Sequence, residues 1–167
     1  YKKINALQAQ VQVNAHEIAG LKRKIIGGGD ITDVPAPSAF RTNSSDESFD
    51  FFVVGNSLTV HPACDYWGGE WGMAASAPGN DFVHIVEAHL AERHSTVNAA
   101  ALNFAAWETM SYDRTELVPQ LDGYLNPSVD AVVVQLGENI SDSVTLDGDF
   151  SYLLGHIARQ CPAAKII

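Results

Sequence analysis

Two unbroken apolar runs, Phe51-Phe52-Val53-Val54 and Ala131-Val132-Val133-Val134, constrain this chain more than any other feature. Runs this short and this rich in β-branched and aromatic residues fit strands buried on both faces. Segments of helical period lie between and after them. The order predicted over residues 48–167 is strand 49–54, helix 81–94, strand 96–104, helix 113–125, strand 129–137, helix 147–160 and a strand starting at 164–167. Asp81 is placed to cap the first helix, whose Phe82, Ile85, Val86, His89 and Leu90 follow helical spacing. The second helix is expected despite Pro119. Strands alternating with helices imply an α/β domain with a parallel sheet and right-handed crossovers. In such sheets function sits beyond the carboxyl ends of the strands.

The first 26 residues follow another rule. Ile4, Leu7, Val11, Asn14, Ile18, Leu21 and Ile25 alternate in steps of three and four, a heptad register with Asn14 at a core d position. So narrow a seam cannot build a globular core, and a single helix of this length is marginal in water. The reading is a coiled-coil oligomerisation stalk. Val11-Gln12-Val13-Asn14 resembles the Val-x-x-Asn layers of trimeric adhesin stalks and phage tail fibres, so a trimer is favoured; Ile at a with Leu at d suits a dimer. Gly27-Gly28-Gly29 ends the helix, and residues 27–47, rich in Pro, Ser, Thr and Asp, read as a linker.

Charge narrows the partners. Residues 1–29 carry five Lys/Arg and one acid, whereas the rest carries five basic and nineteen acidic residues, within a whole-chain net of −10. Phosphate binding needs a basic face, so an acidic body argues against nucleic acid. No apolar run is long enough to cross a bilayer. Cys64 and Cys161 are too few for a zinc site and read as core or loop residues rather than a disulfide.

Polar residues cluster at the predicted strand ends: Gly55-Asn56-Ser57 after the first, Asn103 to Glu108 after the second, Gly137-Glu138-Asn139 after the third. In parallel order these three tips converge on one rim. Acyl transfer needs a nucleophile, donors for the oxyanion and a base. Ser57 is the candidate nucleophile, Asn139 a side-chain donor, and the N–H near Ala105 a backbone donor. Each also has an ordinary reading: a turn serine, a structural asparagine, a loop amide.

These residues resemble a family. "VVGNSLT" looks like the Gly-Asp-Ser-Leu block of SGNH (GDSL) hydrolases, which carries their nucleophile, and "QLGEN" like their Gly-x-Asn-Asp block, whose Asn is an oxyanion donor. "LNFAAWE" stands where the block with the oxyanion glycine belongs. Across about residues 49–167 the resemblance implies a flavodoxin-like three-layer sandwich, a serine esterase with no metal or cofactor, and oxyanion donors at Ser57, Ala105 and Asn139. Three positions depart from the pattern: the motif Asp is Asn56, the glycine is Ala105, and the Asp after the donor Asn is Ile140. The family's late Asp-x-x-His pair, which supplies the base, is not found, and the chain stops as a strand begins. The expectation is a fragment, incomplete at its C-terminus, whose base lies beyond Ile167. A stalk before an esterase domain resembles a phage tail fibre or spike acting on surface polysaccharide, with a virion or extracellular location and tail proteins as partners.

Among the histidines, His61 is the one near enough in sequence to serve Ser57. His84, His89 and His94 are five apart, about 140° around a helix, and share no metal-binding face. Residues 61–76 carry Tyr66, Trp67 and Trp71; with Trp107 they are candidates for a sugar-binding wall or, equally, hydrophobic cover. Two rivals to the esterase remain: a glycan-binding module of the same fold without catalysis, and a structural fibre or adaptor.

Overall fold

The computed structural model describes residues 48–110 and 114–167; the coiled coil read at 1–26 and the linker at 27–47 lie outside them. The chain forms β1 (Ser48–Gly55), α1 (Phe82–Ala91), β2 (Thr96–Asn103), α2 (Ala105–Thr109), α3 (Arg114–Leu117), a 3-10 helix (Val118–Gly123), β3 (Ala131–Gln135), α4 (Leu146–Gln160) and β4 (Lys165–Ile166). All three strand pairings are parallel, in the order β2-β1-β3-β4. Each strand lies within two residues of the bounds read from the sequence.

This order is that of a flavodoxin-like layout, in which the chain steps from β1 to one side and then crosses back to the other. Right-handed crossovers in opposite directions put their helices on opposite faces. The side chains of β1 follow suit. Phe52 and Val54 face a core shared with Trp107, Leu117, Val118, Leu121, Leu153 and Ile157, from α2 through α4. Phe51 and Val53 face Val83 of α1, with Phe82 and Leu90 at the margin. A strand buried on both faces cannot alternate polar and apolar residues, which is why β1 reads as a continuous run.

Three local departures have physical causes. The expected helix 113–125 divides: α3 stops at Leu117 and the chain tightens into a 3-10 turn with Pro119 in its first positions. Proline lacks the N–H and crowds the preceding turn, so it is tolerated at a helix start and not inside one. The five-residue α2 was read only as the end of a strand; too short for a periodic signal, it turns Trp107 and Glu108 inward. In α1 the cap is as expected, but the buried face runs through Val83, leaving Ile85 at 49% and Val86 at 39% exposure. Both cysteines are free, Cys64 exposed and Cys161 buried. Among the described residues no helix is long and apolar enough to cross a membrane.

Candidate functional site

The register places the three tips side by side: Gly55 pairs with Asn103 on β2 and with Gln135 on β3. β1 and β3 flank the point where the chain changes direction, the place where open α/β sheets hold ligands.

At the first tip the chain turns sharply. The N–H groups of Thr59 and Val60 both donate to the Asn56 carbonyl, at 3.0 and 3.2 Å, and the Leu58 N–H donates to Asn56 Oδ1 at 2.9 Å. Asparagine suits such a turn because its side chain supplies the acceptor locally. Gly55 is required for close approach: a Cβ there would collide with the Thr59 side chain and stand 2.8 Å from Gln135 Oε1. Ser57 is left half-buried on the rim, with its carbonyl accepting from the Met73 N–H at 2.8 Å. Among the described residues its hydroxyl and its N–H have no hydrogen-bond partner.

The side chain of Asn56 points inward and is 1% exposed. Its Nδ2 donates to Glu138 Oε2 at 2.7 Å and, at 3.4 Å, to Glu108 Oε1. In the sequence Glu108 is only the last residue of a polar tip. It is 1% exposed, and its carboxylate joins the tips. Oε1 accepts from the Gly137 N–H at 2.6 Å and the Asn139 N–H at 3.4 Å, and Oε2 accepts from Asn139 Nδ2 at 2.6 Å. Gly137 has φ +146°, a conformation that favours glycine and lets the β3 exit fold back over Glu108. No signal in one sequence separates a buried glutamate from a surface one here; the short helix that inverts it was itself unread.

Glu138 lies exposed at the mouth. Its own backbone N–H, and then the Gln135 and Asn56 amides, hold its carboxyl below the ordinary value against the penalty of burial. Beneath the site the buried Arg114 clamps the same loops: Nε donates to the Trp107 carbonyl at 3.0 Å, and Nη2 to the carbonyls of Glu108 at 3.3 Å and Asp142 at 2.9 Å. Its Nη1 pairs with Asp149 of α4 at 3.1 Å.

The sequence-predicted residues therefore fare differently. Ser57, Ala105 and Asn139 stand on the exits of adjacent strands. The Ala105 N–H, however, donates to Asn103 Oδ1 at 3.1 Å, so it is engaged within the protein rather than free for an oxyanion. His61 does not bond to Ser57: its Nδ1 lies 2.8 Å from the Pro62 carbonyl, and its backbone pairs with Trp71 across a small antiparallel bridge. Trp67 and Trp71 meet at a tilt of 53°, 5.1 Å between centroids, on that same excursion, with Trp67 Nε1 donating to the Trp71 carbonyl at 3.2 Å. The Met73–Ser57 bond ties this aromatic hairpin to the Ser57 turn. Trp107 cannot form a binding wall. It is 0% exposed, edge-on to Phe150 and under the Arg114 guanidinium, because its place in α2 turns it into the core.

A further Asp–His pair lies at the start of α1. Asp81-Phe82-Val83-His84 is an Asp-x-x-His sequence, early in the chain rather than late. The i,i+3 spacing of the two residues is the signal that the sequence carries. Asp81 caps α1 and accepts from the N–H groups of His84 and Gly72, both at 2.9 Å, while His84 Nδ1 sits 2.6 Å from Asp81 Oδ1. Burial works against charge on Asp81, but these bonds and the imidazole outweigh it and hold the carboxyl below its ordinary value. Among the described residues no group of three or more His, Cys, Asp or Glu could hold a metal ion. No family model matches the chain, and no curated protein or solved structure matches it.

Proposed function

We propose that this chain carries an SGNH-like serine esterase domain acting on an acyl ester such as an O-acetylated surface polysaccharide. The observation that carries the reading is the unpartnered hydroxyl and N–H of Ser57 on a tight turn at the switch point, beside an Asn139 amide anchored from below. In this reaction Ser57 Oγ attacks the acyl carbon and gives its proton to a base. The oxyanion is met by the Ser57 N–H and by the second N–H of the Asn139 amide. The sugar hydroxyl leaves with the proton, and water then releases the acid from the acyl-serine. The base in the resemblance is a histidine late in the domain; within the described residues the oriented Asp81–His84 pair is a rival to it, and His84→Gln tests that pair. The aromatic hairpin at Trp67 and Trp71 gives sugar rings an apolar face. The heptads of residues 1–26 would gather several such domains on one stalk, as in a tail fibre, in a virion or extracellular setting.

A second reading has its own support. With the Ala105 N–H committed to Asn103 and, among the described residues, no imidazole bonded to Ser57, the same rim suits a glycan-binding module without turnover. The experiment is ester hydrolysis by the full chain on an aryl acetate and on acetylated polysaccharide, alongside Ser57→Ala. Turnover abolished by the substitution supports the esterase. Polysaccharide binding without turnover, unchanged by Ser57→Ala, replaces it with the module.

A further inference from the structure

A fully buried carboxylate without a cation is costly, because burial strips its water and nothing of opposite charge replaces it. Glu108 is in that position. Among the described residues the buried guanidinium nearby, that of Arg114, spends its ion pair on Asp149 and meets Glu108 only at the backbone carbonyl. What the carboxylate has instead is four N–H bonds, from Asn56, Gly137 and Asn139. An ionised carboxylate is an acceptor only, so every group facing it must be a donor. Glu108 is on the β2 side and its donors are on the β1 and β3 exits. One side chain thus joins all three tips.

The strongest contact bears on Asn139. Its amide carries two N–H groups. The 2.6 Å bond to Glu108 Oε2 takes one, fixing the plane of the amide and its oxygen–nitrogen orientation, and leaves the other to point elsewhere. The 2.6 Å bond from the Gly137 N–H fixes the loop on which Asn139 sits. Through Asn56 the same carboxylate reaches the residue next to Ser57. We infer that Glu108 is the positioning residue of this rim, aiming the free N–H of Asn139 at the acyl oxygen without touching substrate itself. The inference rests on the reading of Asn139 as an oxyanion donor. A neutral glutamine could not replace it. Its amide nitrogen would face either the Asn139 amide or the Gly137 N–H, donor against donor.

The test uses the full chain in two readouts. In aryl acetate hydrolysis, Asn139→Ala, Glu108→Gln and the double variant form a cycle. Loss of one oxyanion donor costs on the order of 10²–10³ in kcat, and Glu108→Gln is expected to lose about 10² with KM nearly unchanged. In the Asn139→Ala background, Glu108→Gln should then cost little more. Losses that multiply in the double variant would overturn the inference, since Glu108 would not be working through Asn139. The second readout needs no activity. The Asn139 side-chain amide should show one proton shifted far downfield in its NMR spectrum, and Glu108→Gln should remove that shift. Unchanged amide shifts would also overturn the inference. If Ser57→Ala leaves hydrolysis intact, the esterase reading fails on its own, and the amide signal still decides whether Glu108 holds Asn139. Should Glu108→Gln not fold, Glu108→Asp keeps the charge, withdraws the oxygens by one methylene, and is read the same way.

Discussion

Placing an aspartate at Asn56 should damage this protein. Asn56 is 1% exposed, and its Nδ2 serves two carboxylates, Glu138 at 2.7 Å and Glu108 at 3.4 Å. Asn56→Asp keeps the oxygen that accepts from the Leu58 N–H but places its second oxygen against both partners. One charge-assisted hydrogen bond, worth about 1.5–3 kcal/mol, is lost. Like charges 4 Å apart add about 4 kcal/mol at an effective dielectric of 20. Two routes limit the sum. Glu138 is exposed and can swing into water, whereas Glu108 cannot. The cluster can also take up a proton, which for a carboxyl of ordinary pKa costs about 4 kcal/mol at pH 7. The expected loss is therefore about 2–4 kcal/mol near neutrality, read by urea unfolding of the full chain. The pH dependence follows from the sign of the shift. Crowding raises the folded pKa of a carboxyl in the variant, so its folded state binds more protons than its unfolded state, and stability recovers as pH falls from about 7 to about 5. Adding Glu138→Gln should restore part of the loss, since the new amide can donate to Asp at position 56. A variant within about 0.5 kcal/mol of the parent, or a deficit that stays constant across that pH range, would refute the reasoning.

Two further expectations concern the residues around the rim. Asp81→Asn should cost about 1–3 kcal/mol at pH 7, because its amide would face the Gly72 N–H, donor to donor; the folded pKa of Asp81 is lowered, so its contribution is present above about pH 4 and the gap should close as acid unfolding curves move below it. Trp107→Ala should lower stability by about 3–5 kcal/mol in the same urea assay, as for a large core aromatic, whereas Trp67→Ala should act chiefly by raising KM for a sugar ester.

The sequence made the scaffold readable where burial leaves a periodic or continuous signal. The apolar runs of β1 and β3 and the Asp81 cap of α1 are of this kind, and the convergence of the Ser57, Ala105 and Asn139 segments followed from strand order. What escaped depends on contacts between distant residues. Trp107 and Glu108 are neighbours at a strand exit, and nothing local says that a five-residue helix buries both. The Ala105 N–H looked free until the Asn103 side chain was placed beside it. Asn56 looked like a departure from a motif; beside Glu108 and Glu138 it is the residue their charges require. The Asp81–His84 pair is visible in the letters but lies early in the chain, whereas the resembled pattern has its pair late.

The central place of β1 has a consequence for how the chain is made. The strand is synthesised before either of its partners, which come much later: Ser48 pairs with Thr96, and Phe51 with Ala131. At about 5–20 residues per second, roughly 2–10 s pass before the β2 partner of Ser48 is made, and longer before β3 is. During that interval the segment Phe49 to Val54 is apolar on both faces but for Asp50 and unpaired on both edges, the combination that invites pairing with another copy. Asp50 carries the only charge within β1, and when folded it is buried, accepting from Asn98 Nδ2 at 2.5 Å. The same side chain that is knit into the sheet at the end is thus the one guard against aggregation at the beginning. Any copies held close together while still nascent would meet that hazard at its highest local concentration.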